Sequence, residues 1–126
     1  MVRTTLSPRL TPALLVRDMD QTLSFYKLLG FEQTGGPPES TSATWSEVRR
    51  DSIVLQFHTE APSGTLATPS LSGTLYMYPE SVEALADEFR GKVEFVWGSE
   101  VMEYGMREFG IQDPNDYFLA FAESVD

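Results

Sequence analysis

The sequence predicts an α+β protein built from two βαβββ modules, and two observations carry this prediction. Large apolar or aromatic residues recur at a constant offset of 64 residues, and the same order of elements follows on both sides of a polar connector. The recurring pairs are Phe25 and Phe89, Phe31 and Phe95, Trp45 and Phe109, Leu55 and Leu119, and Phe57 and Phe121. This repetition indicates an internal duplication. We expect the functional site where the two halves meet.

The first module, about residues 10–58, opens with a short apolar strand at 12–16. Asp18 then stands where a helix N-cap is expected, and Gly30 is a natural helix stop. Apolar residues at helical spacing give the intervening segment one buried face. These residues are Met19, Leu23 and Tyr26. A helix between Asp18 and Gly30 follows from the caps and the spacing together.

Three strands complete the first module. Residues 31–34 predict a brief strand that ends at the Gly-Gly-Pro-Pro run of 35–38. Residues 44–49 and 53–58 alternate between apolar and polar side chains and are joined by the polar turn 50–52. That pattern is typical of a β-hairpin.

The second module, about residues 72–124, repeats this order after a connector at 59–71 that is rich in Pro, Ser, Thr and Gly. Residues 74–78 predict a strand, 80–89 a helix that ends at Gly91, and 93–97 a second strand. Further along, residues 98–104 form a polar loop with exposed apolar groups, which we expect at the rim of the cleft. A hairpin of strands 106–112 and 117–122 closes the module across the turn 113–116.

Composition limits the functional class. A length of 126 residues suits one domain spanning 1–126, and the absence of cysteine excludes disulfides, zinc thiolates and thiol catalysis. A net charge of −10 with nine scattered basic residues argues against nucleic acid as a partner. No run reaches the roughly 20 apolar residues that span a bilayer, and the first residues lack the apolar stretch of a secretion signal. We therefore expect a cytoplasmic protein without membrane partners.

Three segments together carry a family resemblance over about residues 10–124. They are Arg17-Asp18-Met19-Asp20, the run Ser24-Phe25-Tyr26-Lys27-Leu28-Leu29-Gly30-Phe31, and Asp113-Pro114-Asn115-Asp116-Tyr117. In this order they resemble the vicinal oxygen chelate superfamily, which contains glyoxalase I, bleomycin-resistance proteins and extradiol dioxygenases. Asp116 departs from the glycine usual in that turn. The resemblance implies that the two modules form curved mixed sheets around a cleft. It also implies a homodimer whose clefts are completed by two chains, with or without exchanged halves.

The resemblance also implies where a metal would bind. Metal-dependent members place one ligand on each of four strands, and the matching positions here are Thr11, Gln56, Thr74 and Ala120. Two hydroxyls, an amide and a methyl group cannot replace imidazoles and carboxylates around a catalytic divalent ion. His58, the only histidine, with Glu47 on the neighbouring strand makes too small a ligand set. We therefore predict no metal and no other cofactor.

Strand alternation predicts which side chains line the cleft. Leu55 and Phe57, with Leu119 and Phe121, face the helices, so the opposite faces carry Gln56, His58, Tyr76, Tyr78 and Phe118. Rim and neighbouring aromatics complete the predicted ligand-binding set, with no catalytic residue assigned. The set is Trp45, Gln56, His58, Tyr76, Tyr78, Trp97, Tyr104, Phe109 and Phe118. Small side chains at Thr11, Ala13, Thr74 and Ala120 leave room for a flat ring, although the same aromatics are also compatible with a filled core.

The segments 45–50 and 54–57 look closest to the metal-free, bleomycin-resistance-like branch. The function predicted on this basis is metal-independent sequestration of a small planar aromatic compound, cationic or neutral. An antibiotic captured for drug resistance or self-immunity fits this description. The alternative is a glyoxalase-like lyase, isomerase or dioxygenase with an atypical or absent metal site, in which His58, Gln56 or Tyr76 acts as acid, base or hydrogen-bond donor.

Overall fold

A computed structural model describes residues 2–37, 44–60 and 68–125. The first module contains β1 (Ala13–Leu15), α1 (Met19–Leu28), β2 (Glu32–Gly35), β3 (Trp45–Arg50) and β4 (Ile53–His58). The second contains β5 (Thr74–Met77), α2 (Val82–Phe89), β6 (Trp97–Val101), β7 (Met106–Gln112) and β8 (Phe118–Ser124). Pro38 of the predicted turn and residues 61–67 of the predicted connector lie outside the described residues.

The two modules have the same sheet topology. Sheet one has the strand order β1-β4-β3-β2, and sheet two has the order β5-β8-β7-β6. In each sheet the first strand runs parallel to the last strand of its module, and the remaining pairs are antiparallel. Leu14 pairs with Phe57 in sheet one, as Met77 pairs with Phe121 in sheet two. The predicted duplicated α+β fold is confirmed.

Side-chain caps start both helices. The Asp18 carboxylate accepts a hydrogen bond from the Gln21 backbone N–H at 2.9 Å, as the sequence predicts. The Ser81 hydroxyl accepts one from Ala84 N–H at 3.1 Å, and Glu123 on β8 accepts the N–H of Val82 at 3.1 Å. These bonds satisfy backbone donors that have no partner within the helix. After α1 the chain reverses at Gly30, whose φ of +86° favours glycine.

The strand predicted at 93–97 is wrong, because β6 occupies Trp97–Val101 and includes much of the predicted rim loop. Val93 instead donates its backbone N–H to Phe89 at the end of α2. Phe95 packs against the core, with its ring stacked 4.6 Å from that of Phe109. The apolar spacing that suggested a strand therefore comes from a segment that leads from the helix to the sheet edge.

The predicted equivalence of Trp45 and Phe109 is also wrong. Phe57 pairs with Ser46 in sheet one, whereas Phe121 pairs with Phe109 in sheet two. Phe109 therefore corresponds to Ser46, because the longer turn between β7 and β8 shifts the register by one residue. A shift of one residue moves a side chain to the other face of a sheet.

Buried polar contacts join the modules. Tyr26 on α1 is fully buried and donates its hydroxyl to the Asp113 carboxylate at 2.8 Å. Asn115 accepts the backbone N–H of Arg17 at 2.8 Å and donates to the Thr22 hydroxyl at 3.0 Å. These hydrogen bonds thus attach the turn between β7 and β8 to the start of the first module. Burial, followed by the nearby Asp113 charge, raises the pKa of Tyr26 well above its ordinary value.

One hydrophobic core cluster takes in buried residues from both modules and both helices. Within the described part of the chain, neither helix is long and apolar enough to cross a membrane.

Candidate ligand-binding site

The alternation of β7 determines which of its residues are available to a ligand. Phe109 and Ile111 face α2 and are fully buried in the core. Glu108 and Gly110 point to the opposite side of sheet two, which we call its outer face. Across the ladder, Glu108 pairs with Ala122 and Gly110 with Ala120. The outer face therefore has an acidic residue beside three positions with little or no side chain.

Three aromatic donors surround the Glu108 carboxylate. Trp97 Nε1 donates to Oε2 at 2.8 Å, and the Tyr76 hydroxyl donates to the same oxygen at 3.1 Å. The Tyr104 hydroxyl donates to Oε1 at 2.6 Å. These four residues are called the Glu108 cluster. Their rings cover the carboxylate so well that Glu108 is only 1% exposed, although it lies on a sheet face without a helix above it.

The aromatic members of the cluster are themselves accessible. Tyr76 is 43% exposed and Tyr104 is 59% exposed. The hydrogen bond to Glu108, followed by one with Tyr76, raises the pKa of Tyr104 above its ordinary value. Tyr76 stacks on Tyr78 with ring centroids 6.4 Å apart, and Trp97 lies 6.1 Å from Phe118 in a tilted arrangement. Two pairs of aromatic rings thus flank the Glu108 carboxylate.

Sheet one has a smaller group on its own outer face. Gln56 donates its amide to Glu47 at 3.1 Å, and Thr34 donates its hydroxyl to the same carboxylate at 2.9 Å. These two hydrogen bonds, that from Gln56 first, lower the pKa of Glu47. Trp45 is 41% exposed and pairs with His58 across the hairpin. His58 Nδ1 lies 2.6 Å from the Glu60 carbonyl and, since a carbonyl only accepts, donates to it.

The structure divides the predicted site residues between the two sheets. Tyr76, Trp97 and Tyr104 meet at Glu108, with Phe118 and Tyr78 beside them, whereas Trp45, Gln56 and His58 lie on sheet one. Over residues 2–37, 44–60 and 68–125, no hydrogen bond, ion pair or ring contact joins the two groups. Within the described part of one chain, the two groups therefore remain separate.

The sequence predicts Phe109 as a ligand-binding residue, but the structure places it in the core. It is fully buried and packs between Phe89, Phe95 and Phe121, with ring centroids 4.6–5.9 Å away. Its side chain faces α2, because β7 is in the register that places Glu108 outward. Phe109 therefore holds sheet two to its helix and cannot reach a ligand on the outer face.

A groove of about 590 Å³ does lie at the seam between the modules. Its walls include Arg50 and Ile53 from the first module and Glu88 from the second, and of the predicted site residues its lining contains Tyr78. The Arg50 guanidinium crosses the seam, donating to the Leu29 carbonyl and to Glu88 at 2.8 Å each. Because its charge is already paired there, the groove offers little to an anionic ligand.

The sequence reasoning missed Glu108, the residue on which the aromatic donors converge. Successive side chains on a strand face opposite sides of the sheet. With Phe109 placed opposite Phe121 in the core, the same rule puts Glu108 outward. The signal was therefore present in the sequence, and the incorrect pairing of Trp45 with Phe109 concealed it.

The residues at the four family metal positions do not suit a divalent ion. The Gln56 amide already donates a hydrogen bond to Glu47. Ala120 is fully buried, and its methyl group has no atom that can bind a metal. Among the described residues, no three His, Asp or Glu side chains come together in a way that could hold a metal.

No family model and no curated protein sequence matches the chain. Solved structures do match it. TnmS3, an antibiotic binding protein from Streptomyces sp. CB03234, is 19% identical, with a TM-score of 0.73 over 97% of this chain and 99% of that one. A bleomycin-binding protein complexed with bleomycin is 18% identical, with a TM-score of 0.68 over 94% and 99%. Lactoylglutathione lyase from Agrobacterium tumefaciens is 16% identical, with a TM-score of 0.71 over 95% and 96%.

The chain thus has the vicinal oxygen chelate fold, as its sequence motifs suggested. At these identities the likeness concerns the fold. Proteins that bind antibiotics and an enzyme share it, so the function has to be argued from the outer faces of the sheets.

Proposed function

We propose that this protein binds a small, planar aromatic compound without using a metal, and that it sequesters the compound unchanged. The whole chain, 1–126, acts as one domain, with modules at about 10–58 and 72–124. An antibiotic captured for drug resistance or self-immunity is the kind of ligand meant. A cytoplasmic location stays a prediction from the sequence.

The observation that carries the proposal is the Glu108 cluster with its flanking rings. The exposed rings of Tyr76, Tyr78 and Tyr104 give sheet two an aromatic surface on which a flat ring can stack. Ala120 and Ala122 are fully buried, so the ligand would contact these rings and not the alanines. Each stacked aromatic pair contributes about 0.5–1.5 kcal/mol beyond the burial of its area. Structural neighbours whose names record bleomycin or antibiotic binding support the same class of function.

A second copy of the chain completes the proposed site. The outer faces expose Trp45 on sheet one and Tyr76, Tyr78 and Tyr104 on sheet two, each at least 41% accessible. Large apolar side chains gathered on a sheet face indicate an interaction surface. A homodimer, with or without exchanged halves, would cover such a face and enclose a ligand more fully than one sheet can.

The two tryptophans provide the test. Trp45→Phe leaves Trp97 as the only indole, and Trp97→Phe leaves Trp45. In titrations with a panel of planar antibiotics, we expect quenching of Trp97 in the first variant at the same ligand concentration as in the wild type. Trp45 responds as well if a second chain places sheet one over the ligand. Sedimentation velocity on the same samples measures whether the protein is a dimer.

Mass spectrometry of the recovered ligand separates sequestration from catalysis. An unchanged ligand, with binding unaffected by a chelator, agrees with the proposal. A converted ligand supports the enzyme alternative, and chelator-sensitive binding refutes metal independence. If no member of the panel quenches either tryptophan, the proposed function is wrong.

A further inference from the structure

We infer that Glu108 selects cationic ligands: a protonated amine or amidine on the aromatic compound takes the place of the Tyr104 hydroxyl at the Glu108 carboxylate. This inference rests on the proposed function and specifies the ligand class of that same site. Glu108 is thereby a specificity-determining residue, and Tyr104 is the hydrogen-bond donor that the ligand displaces.

The hydrogen-bond partners of Glu108 are all neutral, and no positively charged side chain of the described residues pairs with it. An indole N–H can only donate, and two phenols complete the set, so the carboxylate receives three neutral hydrogen bonds. None of the ion pairs between described residues includes Glu108. The adjacent Arg107 lies on the helix side of β7, with a guanidinium nitrogen 3.6 Å from Glu83. A buried carboxylate without a basic partner gains most from a ligand that brings a positive charge.

The surroundings favour a flat cation in particular. Tyr76 and Trp97 approach the carboxylate through the donor groups at their ring edges, and an aromatic face nearby attracts a positive charge electrostatically. An aromatic cation would therefore gain ring stacking, cation–π attraction and a charge-assisted hydrogen bond at one place. A neutral ring of the same size would gain only the stacking. The chain's net charge of −10 adds long-range attraction for cations.

Tyr104 is the donor that can leave at the lowest cost. It is the most exposed of the three and lies in the turn between β6 and β7, next to Gly105 with φ +80°. Trp97, by contrast, is held on β6 by pairing with Gly110, and Tyr76 is held on β5 by pairing with Ala120. Rotation of the Tyr104 side chain would free one hydrogen-bonding position on Glu108 Oε1 without disturbing β5 or β6.

The test compares two probes that have the same three-ring frame. 9-Aminoacridine is protonated at neutral pH, whereas acridine is neutral, so the pair compares a cationic amino-substituted ring system with a neutral one. We expect the wild-type protein to bind 9-aminoacridine at least about ten-fold more tightly, the scale of one charge-assisted hydrogen bond. Glu108→Gln should reduce this preference to about two-fold or less, as its charge is lost. The matched control Glu94→Gln, an exposed residue with the same change of charge, should keep it.

Tyr104→Phe separates ligand recognition from a structural role, and it keeps the inference testable if Glu108→Gln does not fold. Without a hydroxyl to displace, this variant should bind the cation as tightly as the wild type or more tightly. Equal wild-type affinity for both probes would overturn the inference and leave the proposed function standing, since acridine still binds. Cation binding that is unchanged in Glu108→Gln overturns it as well. If neither probe binds the wild type, both the inference and its basis are wrong.

Discussion

The indole ring of Trp97 lies flat against the backbone of Gly110 on the neighbouring strand. A Cβ added at Gly110 would come within 2.2–2.3 Å of three Trp97 ring atoms, a separation that no folded protein tolerates. The first module has a similar contact, in which the glycine comes first in the chain and the tryptophan second. A Cβ added at Gly35 on β2 would lie 2.8 Å from the ring of Trp45 on β3. In each sheet a tryptophan is thus positioned by a glycine on the strand beside it.

Replacement of Gly110 by alanine should therefore displace Trp97 and break its hydrogen bond to Glu108. We expect unfolding free energy to fall by about 1–3 kcal/mol, the usual cost of overpacking, and the Trp97 emission to shift as its environment changes. Urea unfolding and fluorescence of the Trp45→Phe background measure both effects. Gly73→Ala is the control, because nothing lies within 4 Å of a Cβ there. An unshifted spectrum in Gly110→Ala would contradict the geometry.

Removal of the Tyr26 hydroxyl should weaken the attachment between the modules. Tyr26→Phe leaves the buried Asp113 without one of its three donors, the others being the N–H groups of Asn115 and Tyr117. The expected loss is about 1–3 kcal/mol of unfolding free energy at pH 7. Tyr78→Phe, at a residue 70% exposed, should change stability by less than about 0.5 kcal/mol. Equal stabilities of the two variants would show that the bond contributes nothing.

The raised pKa of Tyr26 makes stability depend on alkaline pH. In the unfolded chain this phenol ionises near its ordinary value of 10.0, whereas in the folded protein it stays protonated to higher pH. The unfolded state therefore loses a proton that the folded state keeps, and stability falls as pH rises above about 10. Below that pH, the contribution of protonated Tyr26 to the free energy of unfolding is fully present.

Comparison with Tyr26→Phe separates the effect of Tyr26 ionisation on stability from that of the other tyrosines. The difference in unfolding free energy between wild type and variant should shrink as pH rises from 9 to about 11, by at most about 1.4 kcal/mol per pH unit. Urea unfolding at each pH gives the difference. Parallel curves for the two proteins would mean that Tyr26 titrates normally in the folded state.

Loss of the Asp18 cap should destabilise α1. Asp18→Ala removes the acceptor of the Gln21 N–H, at a typical cost of about 1 kcal/mol. Asp20→Ala removes an equal charge from the same helical turn but no capping bond, so its effect should be clearly smaller. Thermal unfolding of both variants at one ionic strength makes the comparison. If Asp20→Ala costs as much, charge near the helix end, and not capping, stabilises this helix.

Much of the fold was predictable from short segments. Asp18, Gly30 and the spacing of Met19 and Tyr26 located α1, and β3 and β4 were placed within one residue. The strand at 93–97 failed because Phe95 is apolar for a reason outside its own segment, namely its contact with Phe109. Local alternation cannot distinguish a strand from a segment that merely packs its side chains against a core.

The candidate site was predictable only in part. The aromatic character of Tyr76, Trp97, Tyr104 and Phe118 marked them as site residues, whereas Phe109, chosen on the same grounds, lies in the core. Their division between two sheets could not be derived from residue types, and Glu108 could be placed on their face only with the correct pairing of Phe109 and Phe121. Whether they bind a ligand stays a prediction.

The sequence by itself determined the duplicated order of strands and helices, because caps, turns and hydrophobic periodicity act over a few neighbouring residues. Only the tertiary structure decided that Tyr76, Trp97 and Tyr104 converge on one carboxylate. Tyr76 and Glu108 lie on strands separated by β8, and their contact depends on the registers of β5 with β8 and of β7 with β8. A slip of a single residue in either ladder would turn Glu108 or Tyr76 to the opposite face, because successive side chains on a strand point in opposite directions.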